Sequence, residues 1–195
     1  ARIDDRLIHG QVATVWAKVT KVNRILVVSD EVAKDILRKT LLKQASPPGI
    51  IVNVITIDKM ISIFNDPKFD SFKSMLLFTS PHDVRRVVEG GVILDSINIG
   101  GMSFSGGKKM ITNAVAVNSQ DIEDLKYLND KGINLEIRKV VADNKVHMMD
   151  LLKKEKIYVR YFNKPRIDNY LRISIGTDEQ IDAMLAFLTE FLKDS

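Results

Sequence analysis

The chain has 195 residues, 45% of them apolar and 28% charged, which is enough to bury a core as one domain with an appendage. It contains no cysteine, and that excludes disulfides, thiolate metal sites and thiol catalysis. Lysine and arginine number 29 against 25 acidic residues, a net charge of +4, but they are scattered, which argues against the basic stripe with interleaved aromatics of a nucleic-acid groove.

Apolar runs such as GIIVNVI and SMLLFTS are far shorter than the roughly twenty residues a bilayer span requires, and the charged first segment is unlike a secretory signal. The expectation is a cytoplasmic protein that does not cross a membrane by itself.

The opening ARIDDRLIHGQV reads as a short strand and a polar loop before an amphipathic helix containing Trp16. From Val22 onward, β-branched runs alternate with amphipathic ones: NRILVVSD, EVAKDILRKTLLKQA, PPGIIVNVIT and IDKMISIFND. Val32, Ile36, Leu37, Leu41 and Leu42 recur at near-helical spacing, so a helix is predicted from Glu31 to Ala45, capped by Asp30 and ended by Pro47, Pro48 and Gly49. The strand SMLLFTS follows, then a helix from Pro81 carrying Val84, Val87 and Val88. Next come the strand SINIGGM, the strand AVAVN and a helix from Ser119 to Asn129. The strand NLEIRKV and a short helical segment VHMMDLLKKEK complete this part. The alternation predicts an α/β fold: a three-layer, open, mostly parallel sheet with helices on both faces.

After Lys156 the texture changes. IYVRYF and YLRISIG read as a C-terminal β-hairpin, followed by a helix from about Asp178 to Lys193 with an apolar stripe through Ile181, Met184, Leu185, Leu188 and Leu192. The predicted organisation is a domain over residues 1–156 and an appended strand-strand-helix tail over 157–195.

The chemistry concentrates in the first segment, where Asp4, Asp5, Arg6 and His9 fall within six residues and Gly10 and Gln11 follow. In a doubly wound sheet, the loop leaving a strand's carboxyl end is where ligands bind, and the next helix offers its amino terminus to anions. An imidazole there is a competent nucleophile near neutral pH, and the phosphoramidate it forms can be attacked again by an alcohol. Arg6 is a planar, permanently charged partner for phosphate oxygens, and Asp4 or Asp5 can orient the ring or the arginine. On the residues alone, a partly exposed structural histidine is the competing reading. His82 and His147 have no ligand-like spacing with His9, so no metal site is expected, although His82 follows a strand end and could line the same crevice.

RIDDRLIHGQV, ILVVSDEVAKDILRKTLLKQASPPG, MLLFTSPHDVRRVVEGG, INIGGM and GINLEIRKVVADNKVHMMDLL together resemble the IIB component of the mannose, fructose and sorbose family of the bacterial sugar phosphotransferase system, most closely its mannose branch. The resemblance runs in order over about the first 155 residues. It implies that His9 is phosphorylated, on the ring nitrogen nearer the backbone, and that Arg6 serves transfer to the sugar. It also implies that phosphate sits in a crevice of strand-end loops, where position suggests Gly10, Gln11, Ser29 and Asp30, Thr79 and Ser80, and Gly100 and Gly101. Helix capping and tight turns are the alternative explanation of those loop residues. The implied partners are a IIA domain as phosphoryl donor and membrane IIC and IID proteins holding a mannose-type sugar, so that the chain works at the inner membrane without spanning it. A homodimer is implied and no cofactor.

Two departures stand out. Family members carry a few more apolar residues before Ala1, which predicts a shortened central strand. The tail instead resembles the C-terminal end of histidinol-phosphate aminotransferase, a pyridoxal-phosphate enzyme. There Arg172 and Arg160 correspond to substrate-side arginines, vestigial in a chain without the cofactor domain. The junction near Lys156 suggests a chimera, and leaves a non-catalytic scaffold or an aminotransferase fragment as alternative readings.

Overall fold

The β-branched runs pair side by side. The computed structural model describes residues 1–69, 71 and 73–154, so the expected hairpin, helix and arginines of the tail lie outside the described residues. Six strands run parallel in one sheet: β1 (Arg2–Asp4), β2 (Arg24–Val28), β3 (Ile51–Ile55), β4 (Ser74–Phe78), β5 (Ser96–Gly101) and β8 (Asn134–Ile137). A short antiparallel strand, β9 (Val146–His147), closes one edge, and the order is β3-β2-β4-β1-β5-β8-β9. Two further strands, β6 (Lys109–Met110) and β7 (Ala116–Val117), form a separate antiparallel ribbon.

Alternate residues of the central strands feed two cores, as a sheet buried on both faces requires. Ile25, Val27, Val52, Val54, Met75 and Leu77 pack with Leu7, Val12, Trp16, Ala17, Val32 and Leu42 on one side. That side carries α1 (Ala17–Thr20), α2 (Asp30–Lys34) and α3 (Ile36–Gln44). By the right-handed rule for parallel crossovers, α4 (Ile57–Phe64), α5 (Pro81–Glu89) and α6 (Ser119–Asp130) fall on the opposite side, where α5 packs against both α4 and α6. The last helix among the described residues, α7 (Met148–Lys154), lies against β8 and β9.

The structure corrects four local expectations. The helix expected over 31–45 is broken at Asp35, whose backbone is extended (φ −82°, ψ 99°) and whose carboxylate accepts from Arg38 N at 2.9 Å. An acidic residue with a cap to satisfy competes with helix continuation. The break also divides the apolar stripe: Val32 and Leu42 are buried, while Ile36, Leu37 and Leu41 are 82%, 71% and 54% exposed. Ser29, and not Asp30, caps α2, whereas Asp30 accepts from Ile57 N at 2.9 Å and from Arg86 Nη1 at 2.7 Å. AVAVN contributes only a two-residue strand to the ribbon, with Val115 bridged to Met102, and Val146 and His147 form a strand where a helix was expected.

The α6 helix follows its sequence signals closely. Asn118 and Asp121 form a reciprocal capping box, and Leu125 and Leu128 are fully buried beneath it. Truncating Leu125 to alanine should lower unfolding free energy by about 2–5 kcal/mol, and Asn118→Ala by about 1 kcal/mol. Urea titration of the two variants checks both values and their order.

Candidate functional site

The neighbours β1 and β5 leave the sheet in opposite directions, since the chain after β1 crosses to β2 and the chain after β5 goes on to β8. A crevice opens where such strands diverge, at their carboxyl ends. The register aligns Ile3 and Val28 with Phe78 and Asp4 with Gly101, so Asp4, Ser29, Thr79 and Gly101 share one edge of the sheet.

Asp4 is the centre of the site. Its side chain is fully buried, and it meets three partners. Arg2 Nη2 donates to Oδ2 at 2.7 Å, Arg6 Nε donates to Oδ1 at 3.1 Å and Arg6 Nη2 to Oδ2 at 3.2 Å, while His9 Nε2 lies 2.9 Å from Oδ2. Burial by itself would raise the carboxyl pKa, but the bonds from His9, Arg6 and Arg2 outweigh it and hold Asp4 below the usual carboxylate range. An ionised carboxylate only accepts hydrogen bonds. The proton of neutral His9 therefore sits on Nε2, and Nδ1 carries the free electron pair.

The loop that delivers His9 is anchored from below. Leu7 adopts a left-handed conformation (φ 57°), uncommon for a bulky residue, and its N–H donates to Asp4 O at 2.9 Å. Leu7 and Ile8 are buried, whereas the His9 side chain is 20% exposed and Arg6 46% exposed. Buried neighbours thus pin the loop while the imidazole edge and the guanidinium face outward. Asp5 binds a second loop by accepting from Ser103 N at 2.6 Å, and Arg38 of α3 donates to Asp5 O at 3.4 Å. Beside Arg6 a 230 Å³ cavity is lined by Asp5, Ser103, Phe104, Asn113 and Lys139, among others.

The other residues singled out in the sequence are placed as follows. Gly10 and Gln11 are exposed at the helical start of residues 10–20, and a π-helical turn, Val12–Trp16, comes between them and α1. Ser29 is buried as the cap of α2, Ser80 caps α5 by accepting from Asp83 N at 3.2 Å, and the Thr79 hydroxyl donates to Asp83 Oδ2 at 2.8 Å. A Cβ on Gly101 would stand 3.2 Å from Asp4 Oδ1 and 3.3 Å from Arg6 Nη2, whereas one on Gly100 would collide with the Arg2 guanidinium at 1.8 Å. Gly101 borders the cluster, and Gly100 makes room for Arg2. His82 is engaged with Asp124 of α6, Nδ1 to Oδ2 at 3.3 Å, and His147 lies on β9. Among the described residues there is no group of three His, Cys, Asp or Glu side chains able to hold a metal ion, and no helix is long and apolar enough to cross a membrane.

Sequence reasoning passed over Arg2, Trp16 and Asn98. Arg2 is 2% exposed, lies 4.8 Å from the centroid of the Trp16 ring, and donates to Asn98 Oδ1 and to the backbone oxygens of Arg138 and Lys139. The one available signal was an arginine inside a run that forms a central strand.

The family model of the PTS system sorbose subfamily IIB component matches residues 1–161. The mannose-specific EIIAB component of Escherichia coli K12 is 58% identical over 154 residues, covering 79% of this chain and 48% of the relative. The chain thus spans about half the length of the mannose-specific relatives it matches. The sorbose-specific EIIB component of Klebsiella pneumoniae is 45% identical over 150 residues, covering 77% of this chain and 92% of the relative. The crystal structure of the IIBSor domain of the sorbose permease from Klebsiella pneumoniae superposes with a TM-score of 0.77 at 44% identity, covering 79% of this chain and 94% of that one. On the family model, the sequence relatives and the solved structure together, the chain belongs to the sorbose-subfamily IIB components of the sugar phosphotransferase system.

Proposed function

We propose that His9 is a phosphoryl carrier. Its Nδ1 accepts the phosphoryl group from the phosphohistidine of a IIA domain and passes it to a mannose-type sugar held by membrane IIC and IID proteins, on the cytoplasmic side of the inner membrane. The observation that carries this reading is the 2.9 Å contact between His9 Nε2 and buried Asp4, because it commits the proton to Nε2 and leaves Nδ1 free to attack.

In the first transfer the Nδ1 electron pair attacks phosphorus as the bond to the donor imidazole breaks. The donor nitrogen keeps that pair. In the second, a sugar hydroxyl oxygen attacks, the bond from phosphorus to Nδ1 breaks, and the hydroxyl proton is released. Asp4 stabilises the imidazole through both steps, since its negative charge favours the extra positive charge on a phosphorylated ring. Arg6 has Nε and Nη2 on Asp4 and nearly half of its side chain exposed. It is placed to meet the phosphoryl oxygens as charge develops on them, with positioning and charge supplying the catalysis and no cofactor needed.

The donor docks around His9, and α3 supplies part of that surface. Arg38 ties α3 to the Asp5 carbonyl of the histidine loop, and the same helix carries Ile36 and Leu37 at 82% and 71% exposure. Exposed aliphatic side chains beside a reactive group suit a transient protein partner. The phosphotransferase domain ends near Lys156 in this reading.

Incubation with a phosphorylated IIA domain should place acid-labile, base-stable phosphate on His9, and His9→Ala should show none. Asp4→Asn should slow uptake by about two orders of magnitude, measured as the single-turnover rate. Uptake by His9→Ala at the unaltered rate would refute the carrier reading. Ile36→Asp with Leu37→Asp should raise the KM for the phosphorylated donor about tenfold, the loss of roughly 1.4 kcal/mol of docking energy, with kcat unchanged; equal KM values would remove α3 from the docking surface.

A further inference from the structure

We infer that Arg2 is a positioning residue for His9, acting through Asp4 to fix which ring nitrogen is free. The inference deepens the carrier reading above, but its primary readout is independent of any phosphoryl donor.

Arg2 is the one partner of Asp4 that solvent barely reaches: it is 2% exposed, against 46% for Arg6 and 20% for His9. Both terminal nitrogens of its guanidinium are engaged, while Nε is buried without a hydrogen-bond partner. One nitrogen reaches Asn98 Oδ1 and Arg138 O, the other reaches Asp4 Oδ2 at 2.7 Å and Lys139 O at 3.4 Å, and the Trp16 ring lies 4.8 Å away. The planar fork is what lets a single side chain make these bonds together. The surroundings are shaped to admit it, since a methyl on Gly100 would stand 1.8 Å from Nη2.

Arg2 and His9 share the same carboxylate oxygen. Arg2 Nη2 lies 2.7 Å and His9 Nε2 2.9 Å from Oδ2. A guanidinium immobilised in the core therefore fixes that oxygen in position and keeps it charged, which makes it a pure acceptor toward the ring. Without Arg2, burial acts on Asp4 with one fewer cation to oppose it. A carboxyl that takes up a proton can donate to Nε2, and the ring proton then moves to Nδ1, the nitrogen that must attack. Outer partners that orient a working imidazole through a carboxylate change activity by about 10–100-fold in metal sites, and the same logic applies to a histidine nucleophile.

The test uses the full chain with nitrogen-15 in its histidines. Ring-nitrogen chemical shifts at neutral pH should place the wild-type proton on Nε2 of His9. In Arg2→Met the two ring-nitrogen shifts should converge, showing mixed tautomers, with single-turnover phosphoryl uptake reduced about tenfold or more. Arg2→Lys, which keeps a buried positive charge beside Asp4, should return both readouts part of the way. Gly100→Ala displaces the guanidinium without deleting it, so it should mimic Arg2→Met and guards against a variant that fails to fold. Wild-type tautomer shifts in folded Arg2→Met or in Gly100→Ala would overturn the inference. A wild-type protein with the expected tautomer but no phosphate uptake would instead overturn the carrier reading and leave Arg2's role standing.

Discussion

The site rests on an ionised carboxylate kept out of water. Desolvation alone pushes Asp4 toward its neutral form, and only the convergence of His9, Arg6 and Arg2 holds it charged. Each feature around it serves that arrangement. The bulge in the β1–β5 register falls between Ile3 and Asp4, just where the strand must turn its carboxylate toward the loop. Gly100 yields its side-chain volume to Arg2, and Gly101 lies close to both Asp4 and Arg6. The left-handed Leu7 folds the loop back so that His9 returns to the strand that launched it.

The three hydrogen-bond donors around Asp4 are graded by exposure, and the gradation separates their tasks. Arg2 is sealed in the core, His9 is partly exposed and Arg6 faces solvent for almost half of its side chain. A fixed inner charge can orient a carboxylate without reaching solvent, while an outer guanidinium is anchored by two nitrogens and still open to the phosphoryl group of the proposed function. Equal exposure of the two arginines would leave Asp4 free to follow whichever one moved.

The layered sheet was legible because β-branched runs and amphipathic runs alternate in the sequence, and physical burial on both faces demands that pattern. His9, Arg6 and Asp4 were legible because they fall within one short segment, and their contacts are local. What could not be read was the long-range half of the site. Arg2 meets Asn98 and the backbone of residues 138 and 139 only because β1 inserts between β4 and β5. No spacing rule encodes that insertion. The broken helix at Asp35 was missed for a different reason: the apolar spacing of residues 32–42 fits one continuous helix, but Asp35 caps a new one, and the stripe divides between core and surface. The same division exposes Ile36 and Leu37 beside the histidine loop, so the error in secondary structure hid part of the surface proposed for docking.

The π-helical turn links these levels. Val12–Trp16 widens the first helix just after the histidine loop, and such turns occur mostly as single insertions in α-helices, often at functional sites. Trp16 lies within it, with Arg2 on its ring at 4.8 Å, Arg138 at 5.7 Å, and its indole N–H donating to Lys139 O at 3.3 Å. The same indole therefore touches the guanidinium behind Asp4 and the backbone of the segment that brings Lys139 to the cavity beside Arg6. A regular helical turn would rotate the following residues by a different angle and carry the ring off the guanidinium. The extra residue of the π turn is thus tied to the same requirement as Gly100, a tightly walled slot for a buried cation, and the setting of His9 depends on residues that do not touch it.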